Sequence, residues 1–319
     1  MRWPYLILIS CVLISCARQQ NATNRKNIIP PDSLVNNTAT LDTLQNTHKY
    51  ISVGREVRMA QYFSFIDSLT SHYPELSGSD CGEYALVLSN PWLVDSLRST
   101  DYYTQKKKGK FQYDQQKQII LHKTDSLFIP TNAMVDSISK KLSANRIDVN
   151  IPEFKLRVIQ NRDTVFTCKV RVGRNAEEYL GSVGRVVNQR TPIGKGKIIR
   201  ALRNPVFYDL HTGVKLEETI RDDKKITRMP FIPSLEPEID GVRHGSMFHA
   251  TTNLKTVGKA LSNGCIGLRE ADMWTLYYHA PVGTEVTLRY DLKIVNSKND
   301  TILLKDIYHL RDTINYQDK

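Results

Sequence analysis

Ile147-Asp148-Val149-Asn150-Ile151 and Lys155-Leu156-Arg157-Val158-Ile159 alternate polar and apolar side chains, the period of two that a strand with one buried face requires. Asn161-Arg162-Asp163 reads as a turn, and residues 164–172 alternate again, so this stretch predicts a β-hairpin built from neighbouring segments. Working outward, strands are predicted over residues 197–202, 228–232 and 284–290, with Gly and Pro between them. Two helices interrupt the pattern, one over residues 253–261 and one over 270–280 that Pro281 stops. Residues 292–296 and 301–309, around Ser297-Lys298-Asn299-Asp300, read as one more hairpin.

Upstream the texture is helical. Val57, Ala60, Phe63, Ile66 and Leu69 recur at three-residue steps, which predicts an amphipathic helix over residues 56–71 that ends near Pro74. A second helical stretch is predicted over 83–97, broken near Pro91, and a third over 132–142 after Pro130 with Thr131 as its cap. Lys106-Lys107-Lys108-Gly109-Lys110 reads as a solvated loop. No catalytic constellation stands out in residues 49–145.

A chain of 319 residues with 40% hydrophobic and 24% charged residues is globular in composition and long enough for two folded parts. Its net charge of +11 attracts polyanions in general. No zinc-finger spacing or aromatic-glycine RNA-binding signature accompanies that charge, which sets nucleic acid aside. Arg2 precedes an apolar run over residues 5–14, too short to span a bilayer and of the size of a secretory core segment. Leu13-Ile14-Ser15-Cys16 then resembles a bacterial lipobox, which implies cleavage before Cys16 and lipidation of its thiol. The polar residues 17–48 suit a flexible tether. Cys81, Cys168 and Cys265 remain, an odd number, so at least one thiol is free or paired outside the chain.

The densest motif is Ser262-Asn263-Gly264-Cys265-Ile266-Gly267-Leu268-Arg269, placed between the two predicted helices and preceded by His249. A nucleophilic thiolate needs a base or a positive field nearby. Gly264 allows a close backbone approach, so that the peptide N–H groups of Gly264 and Cys265 can face a developing oxyanion. Taken alone, a Gly-Cys with a distant His reads more simply as a buried structural thiol.

The stretch from His249-Ala250-Thr251-Thr252-Asn253 through Gly258-Lys259-Ala260 to Ser262-Asn263-Gly264-Cys265 resembles the signature of the L,D-transpeptidase (YkuD-type) family. There a His-Gly-Ser/Thr turn precedes Ser/Thr-x-Gly-Cys, and a separation of 16 residues is common. Val172-Gly173-Arg174, Thr191-Pro192-Ile193-Gly194, Asn204-Pro205 and Pro281-Val282-Gly283-Thr284-Glu285-Val286 resemble further landmarks in the right order. The resemblance implies a mainly β catalytic domain, a mixed β sandwich or barrel with short helices, preceded by a mainly α accessory unit. It implies Cys265 as nucleophile, His249 as base, the Ala250 carbonyl as the group that orients the imidazole, and no metal or cofactor. The partners implied are peptidoglycan stem peptides and, through Cys16, a membrane of the cell envelope.

Position 250 is Ala where the family has Gly, 263 is Asn where a cationic side chain is frequent, and 267 is Gly where the family usually carries Arg. Substrate contacts are expected from Ser262, Asn263 and Thr251, with Arg269 or Arg243 taking over the missing arginine's carboxylate. The expected division is a signal peptide over 1–15, a tether over 16–48, a helical unit over 49–145, the catalytic domain over 146–291 and an extension over 292–319. Transpeptidation leads. An L,D-carboxypeptidase, a ligase joining a lipoprotein to the wall, a catalytically silent peptidoglycan-binding lipoprotein and a scaffold remain open.

Overall fold

The structure is a computed structural model that describes residues 49–181, 183–296 and 298–310; Cys16, the apolar run before it and residues 17–48 lie outside these. The alternating segment folds as Asn145–Asn150, Lys155–Gln160 and Asp163–Lys169, an antiparallel meander. Ile147, Val149, Leu156 and Val158 on its inner face are fully buried, as the alternation requires.

This meander is one flank of an eight-stranded mixed sheet. Across the sheet the order is Ile266–Leu268, Phe248–Ala250, Ser234–Ile239, Gly194–Leu202, Glu285–Arg289, then the meander in sequence order. Two neighbouring pairs are parallel, Phe248–Ala250 with Ile266–Leu268 and Glu285–Arg289 with Asn145–Asn150. Arg171, just beyond the last strand of the meander, exchanges backbone hydrogen bonds of 2.8 and 2.9 Å with Gly267 on the opposite edge. The sheet is thereby nearly closed into a barrel, which leaves few unpaired edge groups.

Among the described residues seven α-helices are α1 Tyr62–His72, α2 Pro74–Ser77, α3 Gly82–Leu88, α4 Trp92–Ser99, α5 Tyr102–Lys107, α6 Asn132–Ser143 and α7 Glu270–His279. Thr131 caps α6 by accepting the Met134 N–H, and the Pro91 break separates α3 from α4. In α7 buried residues lie all round the axis, among them Trp274, Leu276, Tyr277 and Tyr278. Such a helix must be covered on more than one side. The sheet covers one side; α1 covers another, with Tyr62 and Tyr278 sharing a buried 2.8 Å hydroxyl hydrogen bond and Tyr62 edge-on to Trp274.

Several local expectations give way to longer-range pairing. Over residues 253–261 there is one 3-10 turn, Leu254–Thr256, followed by the strand Ala260–Ser262. Gly258 takes a φ of +83° and donates to the Val170 carbonyl, and Val172 N–H donates to the Lys259 carbonyl, so the chain is drawn into pairing with Val172–Gly173. The strand expected over 228–232 ends at Arg228 and pairs with Glu218–Ile220 in a hairpin apart from the sheet. The sheet strand is instead Ser234–Ile239, which carries Pro237 where the register to Gly194–Leu202 shifts, a place that tolerates a residue without an N–H. Val57–Arg58 pairs with Ile119–Leu121, so the first helix starts only at Tyr62. Lys106 and Lys107 form the last turn of α5, which Asp101 caps. The tail pairs Lys293–Val295 with Thr301–Leu303 and then turns back towards the sheet.

Candidate active site

Cys265 stands at the mouth of the strand Ile266–Leu268, at the end of a turn whose shape follows from its residues. Gly264 holds φ at +101°, and a Cβ there would sit 3.3 Å from Ser246 Oγ, so glycine is the residue that fits. Ser262 Oγ donates to the Cys265 carbonyl at 2.6 Å, which closes the turn. Thr191 Oγ1 donates to the Gly264 carbonyl at 3.0 Å and accepts the Gly173 N–H at 2.8 Å. Tyr308 OH accepts the Thr191 N–H at 3.0 Å and donates to the Gly173 carbonyl at 2.9 Å. These buried groups are all satisfied, and a satisfied network of this kind holds one geometry. Among the described residues the N–H groups of Gly264 and Cys265 have no acceptor, so two adjacent donors beside the thiol stand free.

His249 lies in the middle of Phe248–Ala250, level with Gly267 in the parallel register. Strands sit about 4.8 Å apart and rise about 3.3 Å per residue, so the Cα atoms of His249 and Cys265 are roughly 8 Å apart on the diagonal. Residues offset by two share a face, so the two side chains project to the same side. Nδ1 of His249 is 2.8 Å from the Ala250 carbonyl. A carbonyl only accepts, so Nδ1 carries the proton and Nε2 is left with its lone pair. Phe207 stands against the imidazole, ring centroids 6.1 Å apart.

Burial pushes the His249 pKa down to about 4, the Arg171 charge adds to this, and the Ala250 carbonyl opposes it. Burial pushes the Cys265 thiol up, against the Met247 N–H that points at its sulfur and against Arg171. Both groups are therefore neutral near pH 7. The arrangement can perform general-base catalysis, in which a thiol gives up its proton as it attacks, rather than holding a standing ion pair.

The other candidates are dispersed. Ser262 and Thr251 are buried; the Ser262 hydroxyl is committed to the turn, and Thr251 accepts the Asn253 N–H at 3.4 Å. Asn263 Oδ1 accepts from the Arg174 guanidinium, so a cation stands beside a position where this chain has none of its own. Arg243 grips Glu236 Oε1 through Nε and Nη2 at 3.0 and 2.8 Å, and Arg269 faces Asp101 at 3.7 Å. Each of the two expected arginines thus already faces a carboxylate of its own, while Arg269 Nε is buried without a hydrogen bond. His244 is exposed on the loop before the strand and lines a cavity of about 570 Å³ together with Ser246, Asn263 and Gly264. Cys81, Cys168 and Cys265 are all free thiols. Among the described residues no group of acids, histidines and cysteines is arranged to hold a metal.

Sequence reading missed Met247, Tyr308 and Arg171. Thr191 had a signal in its Thr-Pro-Ile-Gly landmark; Tyr308 had none, because its role depends on the tail folding back from a distant hairpin.

A nearly closed mixed sheet that presents a thiol, a tautomer-fixed imidazole and two free peptide N–H groups at one end defines a mainly β domain of the L,D-transpeptidase fold. Residues 144–288 match the YkuD family model, described as the L,D-transpeptidase catalytic domain. Among solved structures, the L,D-transpeptidase of Xylanimonas cellulosilytica is similar at 16% identity over 60% of this chain and 80% of that one, with a TM-score of 0.34. L,D-transpeptidase 1 of Mycobacterium tuberculosis is similar at 16% identity over 46% and 61%, with a TM-score of 0.30. The chain thus spans about three fifths of the mycobacterial protein. No curated protein matches the chain.

Proposed function

We propose that this protein is a cysteine acyltransferase that joins peptidoglycan stems, with Cys265 as nucleophile and His249 as base. Cys265 Sγ attacks the carbonyl between the diamino acid and the terminal D-Ala of a tetrapeptide stem as its proton passes to His249 Nε2. The oxyanion is received by the N–H groups of Gly264 and Cys265. The carbon–nitrogen bond then breaks, the imidazolium returns its proton to the departing D-Ala amine, and a thioester remains on Cys265. An acceptor amine attacks that thioester, gives its proton to His249, and leaves a new amide with the thiol restored.

The observation that supports this reading is the His249 Nδ1 contact to the Ala250 carbonyl, which leaves Nε2 as the basic nitrogen two strand positions from Cys265, beside two unengaged N–H groups. The test incubates the protein with purified tetrapeptide stems and follows the protein and the products by mass. A thioester on Cys265 and cross-linked dimers are expected. Tripeptides alone would place water as the acceptor, and an unmodified Cys265 with unchanged stems would refute the reading. The same proposal includes export, cleavage before Cys16 and lipid anchoring in the cell envelope, which rest on the Leu13-Ile14-Ser15-Cys16 box.

A further inference from the structure

Gly267 sits between two residues on adjacent strands. It is level with His249 on one side in the parallel register and with Arg171 on the other through a reciprocal pair of backbone hydrogen bonds. Residues level across a sheet put their side chains on one face. Arg171, the space above Gly267 and the imidazole of His249 therefore stand in a row. A Cβ added to Gly267 would lie 3.0 Å from Arg171 Nε and 3.4 Å from both its Cβ and Cζ. The guanidinium thus occupies the very place into which a side chain at 267 would project.

Arg171 is also short of partners. Its Nε is buried without a hydrogen bond, and among the described residues its side chain makes no ion pair. Arg174, Arg243 and Arg269 each have a side-chain partner, Asn263, Glu236 and Asp101 respectively, whereas Arg171 has none among the described residues. A partly buried guanidinium without an anion costs solvation that a bound anion would restore. A carboxylate matches its planar fork. The charge of Arg171 bears on both Cys265 and His249, which puts it within reach of whatever occupies the site.

We propose that Arg171 is the carboxylate-binding residue of this site: reaching over Gly267 from the neighbouring strand, it replaces the side chain that position 267 lacks and receives a carboxylate beside the scissile bond of the donor stem. The glycine and the arginine are then one exchange, since a side chain at 267 and the guanidinium of Arg171 cannot share the space. This deepens the proposed function and rests on its choice of substrate.

The test measures equilibrium binding to Cys265→Ala protein, so that it does not depend on turnover. Three ligands are used: the tetrapeptide stem, the stem with its terminal D-Ala as carboxamide, and the stem amidated on the side-chain carboxylate of a diaminopimelate residue. With Arg171 present, one of the two amidations weakens binding roughly 10- to 100-fold, the range of a charge-assisted bidentate contact, and identifies which carboxylate is held. In Arg171→Gln the same amidation changes binding less than about twofold. Gly267→Ala, which pushes the guanidinium aside, gives a smaller loss of the same preference. Moving the arginine, in the double variant Arg171→Gly/Gly267→Arg, restores it, which a merely structural role would not do. An amidation effect of equal size with and without Arg171, or no stem binding at all, overturns the assignment. If the preference depends on Arg171 but wild-type protein forms no thioester, the transfer reading fails alone.

Discussion

The depressed pKa of His249 makes a prediction that separates this site from an ordinary cysteine–histidine pair. With a pKa of about 4, about 97% of His249 is neutral at pH 5.5; at the usual value near 6.5 only about 9% would be. Acylation by a general base needs the neutral form, so activity is retained above about 4 and lost as pH falls through that value. The assay follows Cys265 acylation by a carbapenem, with intact-protein mass as readout, from about pH 3.5 to 9. At pH 5.5 the rate should stand within about a tenth of its plateau, whereas an ordinary histidine would leave it about tenfold below. Arg171→Gln removes a cation that lowers the His249 pKa, so its acid limb should move upward. The same shift has a stability consequence: below about 6.5 the unfolded chain takes up a proton that the folded chain refuses until about 4, so stability falls as pH drops through that window. In His249→Phe that component is absent. An acid limb near 6.5 in wild type would show that burial does not control this imidazole, and the general-base reasoning would fall with it.

Four further outcomes are expected. His249→Ala should lose about 10²- to 10⁴-fold in acylation rate while the exposed His244→Ala keeps most of it; the reverse pattern would move the base to His244 and refute the assignment. Tyr308→Phe removes a hydroxyl that serves both Thr191 and Gly173, so it should cost about 1–3 kcal/mol by thermal or denaturant unfolding and slow acylation as the Gly264 turn loosens; unchanged values for both would show that the tail does not support the site. Arg221→Met leaves Glu270, buried and bonded to the Tyr102 N–H at 2.8 Å, without its cation, so a loss of about 3–5 kcal/mol is expected, and a loss under about 1 kcal/mol would mean the pair is not holding the hairpin of residues 218–228. Cys16→Ser should shift the protein from the membrane to the soluble fraction, and continued membrane attachment would rule out the lipid anchor.

Local pattern was enough for the meander over residues 145–169, because two-residue alternation is a property of adjacent side chains and a turn joins the strands directly. It was enough for α6, whose cap Thr131 lies one residue before the helix. Cys265 and His249 stood out for a different reason: taken alone they suggest only a buried thiol, and it is the resemblance of residues 249–265 to the L,D-transpeptidase signature that marks them as a candidate pair. What failed were segments whose state depends on a distant partner. Residues 253–261 look helical until Gly258 and Lys259 meet Val170 and Val172, and Pro237 argues against a strand until the shifted register beside it supplies a place without an N–H. Arg243 and Arg269 had the right charge, but Glu236 and Asp101 hold them elsewhere. Arg171 reads in the sequence as one more polar residue of an alternating strand. Only the closure of the sheet, which pairs it with Gly267 on the opposite edge, sets its guanidinium over a glycine and beside the imidazole, because barrel closure brings together residues whose separation along the chain carries no local signal.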